Sequence, residues 1–257
     1  MTETTKKILI IIIAALCGIV FCISAYMLIS YFSEKKQADD VYTQIIEEST
    51  VVAEQDKKPS NDSSFPEMNI DFDKINLEHS RSTSWIMIRN TVVNYPIVQA
   101  DENDYYLYRL PDGTKNKNGS IFMDYRNASD FSDRNTFIYG HHMKSGAMFA
   151  SLTKYEDQSY YEEHPYIFII TPDEIFRCEI FSAYVIPDTS DAFTLSFKND
   201  AEFDEYLQMV SGFSMISSAV EVDASTDRII TLSTCTYEYD NARFLVHAKL
   251  VSSEEEI

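Results

Sequence analysis

Basic residues are what this sequence most lacks. It holds 21 Lys and Arg against 41 Asp and Glu, for a formal net charge of -20. Clustered Lys and Arg are the footprint of proteins that bind nucleic-acid phosphates, so nucleic acid is excluded as the expected partner. Glycine and proline are also scarce, 6 and 7 in 257 residues, which excludes collagen-like and Gly/Pro-rich low-complexity designs. The glycine patterns of Walker and Rossmann phosphate loops are missing. There is no CxxC or HExxH spacing for zinc and no EF-hand loop for calcium. Apolar residues are not lacking. At 45% hydrophobic and 13% aromatic the chain can build a core, which argues against disorder. Its length allows one or two domains.

Charge vanishes altogether over residues 8–32, ILIIIIAALCGIVFCISAYMLISYF. At about 1.5 Å per residue, a helix there reaches roughly 37 Å, enough to cross a hydrocarbon core of about 30 Å. Lys6 and Lys7 precede it, so the short N-terminus (1–7) is expected inside and the rest of the chain outside. The run is longer than a signal-peptide core and no A-x-A cleavage site follows, which favours an uncleaved anchor. Leu16 and Phe21, not small residues, precede Cys17 and Cys22, so a lipoprotein signal is disfavoured. These two cysteines read as apolar membrane residues.

Residues 33–69 read as a stalk. Val41, Ile45, Ile46 and Val52 follow near-helical spacing, and the polar stretch QDKKPSNDSS reads as a linker. A folded domain is expected over 70–252, with a polar tail at 253–257. Within it, strands are expected at 85–89, 92–98, 120–123, 136–139, 166–171, 174–186, 228–234 and 243–251. Helical turns are expected near 104–110, 147–155 and 158–163, and the best helix at 200–213, where Phe203, Leu207 and Val210 share a face. Eight short strands with few helices suggest a mainly β fold, a closed β-barrel or a sandwich.

Two cysteines lie outside the apolar run, and a disulfide between them is one arrangement on the oxidising side of a membrane. Their settings differ. Strand alternation puts Cys178 on one face with Phe176 and Ile180, the pattern of a small core residue. Cys235 ends the strand RIITLST and opens the polar loop TYEYDN, where rigid scaffolds display reactive groups. Position alone leaves two readings for it, a catalytic nucleophile or an ordinary free cysteine.

A nucleophilic thiol needs a nearby base or cation. His141 and His142 follow the strand NTFIYG at a similar strand-to-loop junction, and spacing does not choose between them. His79 and His164 sit among polar residues and read as solvated surface. His247 alternates inside the last strand and reads as structural. Arg243 opens the strand after the Cys235 loop, and strands joined this closely tend to be neighbours. Its guanidinium is either an oxyanion donor or an ordinary strand-edge arginine.

Taken together, three ordered segments resemble the sortase family. TLSTC at 231–235 resembles the cysteine signature of sortases, YGHHM at 139–143 their histidine segment, and ARFLVHAKL at 242–250 the strand bearing their arginine. VNYPIVQ at 93–99, GSIFMDYRN at 119–127 and the long 188–227 insertion resemble class B members, and the resemblance covers about 70–252.

The resemblance implies an eight-stranded sortase-type β-barrel with a few short helices, behind one transmembrane anchor. It implies a cysteine transpeptidase anchored by a single pass in the cytoplasmic membrane of a Gram-positive cell, with its catalytic domain extracellular. Such an enzyme cleaves a C-terminal sorting motif of secreted proteins after Thr and joins the carbonyl to an amine of the cell-wall precursor. No cofactor or metal is implied. His141 falls on the family histidine, Cys235 on the nucleophile and Arg243 on the arginine. Ser233 and Thr234 fall on positions that help bind substrate or the oxyanion. Thr236 departs from the acidic residue that class B members often carry after the cysteine. Asp240 is the nearby candidate to orient His141 or pair with Arg243. The alternatives are a hydrolytic cysteine endopeptidase using the same residues, or a non-catalytic membrane-anchored binding protein.

Overall fold

In the computed structural model of the chain, which describes residues 2–51, 58–75, 81–236 and 240–254, the alternating apolar segments pair into one closed barrel. Its strands are β1 (Ser82–Met87), β2 (Asn94–Val98), β3 (Ile121–Met123), β4 (Asn135–Tyr139), β5 (Tyr166–Ile170), β6 (Ile175–Pro187), β7 (Ile229–Cys235) and β8 (Ala242–Ser252). Around the barrel the order is β8-β6-β5-β1-β2-β3-β4-β7, and β7 closes on β8. The pairs β2/β3 and β4/β7 are parallel and the others antiparallel. Closure removes the exposed edges that an open sheet would present to other chains.

Every expected strand is present. The largest shift is at β1, which begins at Ser82, where Ser82 and Ser84 are buried and the pairing with β2 is irregular. Those two polar residues hide the strand from an apolar-pattern reading. Alternation divides β7 between two environments. Ile230 and Leu232 face the barrel interior with Ile138, Phe244 and Val246, whereas Ile229 faces outward against Leu245 and the cluster beneath a helix.

Among the described residues five α-helices flank the barrel: α1 (Glu3–Ser49), α2 (Phe72–Ile75), α3 (Asp104–Leu107), α4 (Gln158–Glu163) and α5 (Asp200–Gly212). Asn199 caps α5 by accepting from the Glu202 N–H, which satisfies one of the donors left open at a helix start. Phe203, Tyr206, Leu207 and Val210 then pack on Phe181, Tyr184 and Leu245, covering the outer face of β6 and β8.

The stalk differs from expectation. α1 does not end with the apolar run; it continues unbroken to Ser49 and docks on the barrel. Ala38 and Tyr42 are buried in the main core, and the Tyr42 hydroxyl donates to the Gly119 carbonyl at 3.2 Å. Asn116 Nδ2 donates to the Glu34 carbonyl at 2.8 Å and to Gln37 Oε1 at 3.1 Å, and Lys117 pairs with Glu34 at 3.2 Å. The described part of the polar linker also lies on the barrel. Buried Arg89 donates to the Ser64 carbonyl at 2.7 Å while stacking on Phe168, and Arg177 donates to the Ser63 carbonyl at 3.2 Å. Residues 52–57 of the stalk, and 255–257 of the tail, lie outside the described residues.

Candidate active site

Three strands, β4, β7 and β8, set out the candidate residues. β4 and β7 run parallel with Tyr139 opposite Ser233, and the Gly140 N–H donates to the Ser233 carbonyl at 3.1 Å. Parallel strands end at the same edge, so the chain leaves β4 into His141 beside the place where β7 ends in Cys235. Gly140 is required by space: a Cβ there would run into Ile121 and the Phe149 ring. The Phe149 N–H then donates to the His141 carbonyl at 3.1 Å and fixes the histidine backbone.

Cys235 and Arg243 are directly opposed across the antiparallel β7/β8 ladder. Directly opposed residues project from the same face with Cβ atoms about 4.5–5.5 Å apart. Cys235 is exposed, whereas the six residues of β7 before it are buried. The Arg243 guanidinium donates to Asp188 Oδ2 at 3.2 Å and to the Ala242 carbonyl at 3.1 Å. Its acidic partner is thus Asp188, not Asp240, because the β6/β8 register sets Ala242 opposite Pro187 and brings the next residue of that turn to the guanidinium.

His141 is held from its far side. Its Nε2 lies 2.6 Å from the Leu107 carbonyl. A carbonyl only accepts, so Nε2 carries the hydrogen, and in the neutral ring Nδ1 holds the lone pair. Leu107 is presented by α3, and the Tyr108 ring lies 6.0 Å from the imidazole. Gly119, at φ +59°, lets the chain pass close beneath: a Cβ there would stand 2.5 Å from the Leu107 carbonyl oxygen and 2.9 Å from His141 Cδ2. His142 turns elsewhere, with Nδ1 2.9 Å from the Cys235 carbonyl, so it donates to the backbone of that residue.

The two residues before the cysteine face opposite ways. Ser233 shares the Cys235 face of β7. Thr234 shares the face of Ile230 and Leu232, pairs with Phe244, and is buried with no partner for its hydroxyl. Its side chain therefore does not stand on the cysteine face, contrary to what its place beside Cys235 suggests. Among the described residues no group of three or more His, Cys, Asp or Glu is arranged to hold a metal ion.

His164, His247 and Cys178 are buried and serve the core. Cys178 is fully buried, and burial pushes its thiol well above the ordinary range. His247 is fully buried between the Tyr184 hydroxyl (2.8 Å) and the Thr231 hydroxyl (2.9 Å), and burial pushes its pKa down to about 3. His164 is not solvated surface. It is buried, Nδ1 donates to the Arg89 carbonyl at 3.1 Å, and burial lowers its pKa. His79 lies outside the described residues. Behind the histidine strand, buried Asp124 accepts from Arg126 at 2.9 and 2.8 Å, from Asn103 at 3.0 Å and from the Tyr139 hydroxyl at 3.0 Å. Burial opposes its ionisation, but the Arg126 and Asn103 hydrogen bonds outweigh it and hold the carboxyl below the usual range.

Known proteins share this arrangement of strands. A family profile described as the Sortase domain matches residues 86–251. Sortase B of Listeria monocytogenes is 40% identical over 186 residues, spanning 71% of this chain and 73% of the relative. Among solved structures, sortase B of Bacillus anthracis aligns with a TM-score of 0.70 at 35% identity, covering 86% of this chain and 99% of that one. A Staphylococcus aureus sortase B–substrate complex aligns with a TM-score of 0.64 at 33% identity, covering 68% and 88%.

Proposed function

The chain belongs to the sortase family of cysteine transpeptidases, and we propose that Cys235, His141 and Arg243 carry its reaction. The observation that supports this assignment best is the β7 register, which sets Cys235 opposite Arg243 on β8 and beside the His141 segment on β4. Cys235 is the nucleophile. Its thiol gives its proton to His141 Nδ1, and the thiolate attacks the carbonyl of the scissile peptide, forming a C–S bond and a tetrahedral oxyanion. The Arg243 guanidinium, braced by Asp188, donates to that oxyanion. As the C–N bond breaks, the leaving amine takes a proton from His141, and Nδ1 is the nitrogen that supplies it because Nε2 is committed to Leu107. An incoming amine then loses its proton to the same nitrogen and attacks the thioester, releasing Cys235.

The substrate in this reading is a C-terminal sorting motif of a secreted protein, cleaved after Thr, and the acceptor is an amine of the cell-wall precursor. Ser233 lies beneath Cys235 on the same face and shapes the floor on which the peptide rests, and Thr234 contributes through its backbone. α1 is long and apolar enough to cross a membrane. It serves as a single-pass anchor with Lys6 and Lys7 on the cytoplasmic side and the barrel outside. The domain over 70–252 works behind this anchor, and the 33–69 segment joins the two.

A peptide library tested with and without an added amine checks this. Cleavage accelerated by amine, with the amine joined to the new carboxyl end, is the expected result. Cleavage indifferent to amine assigns a hydrolytic endopeptidase instead. His141→Ala and Arg243→Ala should each lower turnover by about a hundredfold or more while melting like the parent.

A further inference from the structure

A groove of about 620 Å³ opens where α1 leaves its apolar run and meets the loops beside the histidine segment. One wall is α1 itself, with Tyr26, Met27, Tyr31 and Glu34. The other is Lys117 and Asn118 from the loop that α1 docks on, with His142 and Lys144 from the loop after β4. Two features of this groove bear on what it can seat. The first is its charge: in a chain of net -20, Lys117 and Lys144 outnumber the groove's single acid, Glu34, which lies 3.2 Å from Lys117. The next residues along α1 are Lys35 and Lys36. The second is its height. The uncharged run ends at Phe32, and Glu34 lies about 3 Å farther along the helix. The headgroup layer on each side of a bilayer is roughly 5–8 Å thick, so the groove straddles its boundary with the hydrocarbon. Tyr26 and Tyr31 on the apolar wall are the residue type that settles at that depth.

We propose that this groove seats the phosphate headgroup of an anionic phospholipid, in the leaflet into which the C-terminal end of α1 emerges. The proposal rests on the reading of α1 as a membrane span. Lys117 and Lys144 meet the phosphate, Asn118 supplies a neutral donor, and the tyrosines of α1 pack beside the upper acyl chain. The docked helix already ties the 116–119 loop to α1 through Asn116 and Tyr42. The lipid closes the contact from below, and holds the histidine end of the barrel against the membrane surface rather than out on a stalk. His142 lines the groove and also touches the Cys235 backbone, so the seat is continuous with the catalytic end.

The test uses the full chain in nanodiscs of phosphatidylcholine, alone or with phosphatidylglycerol, labelled with an uncharged lysine-acetylating reagent and read by peptide mass spectrometry. Phosphatidylglycerol should slow acetylation of Lys117 and Lys144 about fivefold each, the effect of one lysine near an anionic surface. Lys198, exposed on the far insertion, should be unaffected. Equal rates at Lys144 in the two lipids, or equal slowing at Lys198, overturn the proposal. If the chain separates from the nanodiscs on gel filtration, the span and the groove fall together. If it is retained and Lys144 is unprotected, the groove alone falls. None of these outcomes bears on Cys235 as the nucleophile.

Discussion

Gly119→Ala should impair catalysis out of proportion to its effect on folding. The substitution carries two costs. The φ of +59° is left-handed, and an alanine there costs about 1–2 kcal/mol. In addition, the new Cβ would stand 2.5 Å from the Leu107 carbonyl oxygen and 2.9 Å from His141 Cδ2. These two groups already meet at 2.6 Å, so relieving the clash moves one against the other. At about 2–4 °C per kcal/mol for a domain of this size, the backbone cost alone lowers the melting temperature by roughly 2–8 °C. A displacement of the imidazole near 1 Å lowers kcat by about a hundredfold. Gly146→Ala is the control: φ is +84°, but nothing lies within 4 Å of its added Cβ. It should melt lower by a similar amount and keep its kcat. Thermal melts and steady-state transpeptidation on both variants decide the matter. If Gly119→Ala melts lower yet keeps kcat within about twofold of the parent, the Leu107 carbonyl is not what positions His141.

Asp188→Asn should weaken its hold on Arg243 and lower kcat/KM about five- to tenfold through kcat, with no further loss when added to Arg243→Ala; additive losses in that cycle would show that Asp188 acts elsewhere. Cys178→Ala should lose about 1–2 kcal/mol of stability by denaturant titration and keep full activity, since the thiol fills core space only. His247 gives a pH dependence of stability. Unfolded histidine titrates near 6.5, and in the fold this ring stays neutral down to about 3. Its contribution is complete above pH 6.5 and falls by about 1.4 kcal/mol per unit as the pH drops toward 3, because only the unfolded chain takes up the proton. Against His247→Gln, the parent should show the steeper loss between pH 6 and about 4; equal slopes would refute this.

The strands were legible because short apolar runs and period-two alternation are local signals; the start of β1, with buried Ser82 and Ser84, lacks both. The candidate site was legible through motif order, and through the strand-to-loop junctions at Gly140 and Cys235. What escaped depends on distant parts of the chain. Asp188 reaches Arg243 only because β6 and β8 pair in a particular register, so the nearer Asp240 was the natural sequence candidate. The docking of α1 joins Tyr42 to Gly119, 77 residues away, and helical spacing in a stalk carries no sign of it. His164 has polar neighbours in sequence but is buried by contacts with Arg89 and Tyr160. Thr234 was different, since a signal was available. Alternation along TLSTC sets Ser233 with Cys235 and turns Thr234 inward, and adjacency to the cysteine masked it.

The proposed reaction requires that Cys235 become covalently acylated. The most direct measurement is intact-mass and peptide-mass spectrometry of the protein incubated with a cleavable sorting peptide and no amine acceptor. The expected result is a mass gain equal to the acyl fragment, located on Cys235, discharged on adding amine, and absent from Cys235→Ala. An unmodified Cys235 during turnover, or unchanged turnover in Cys235→Ala, would rule out Cys235 as the nucleophile.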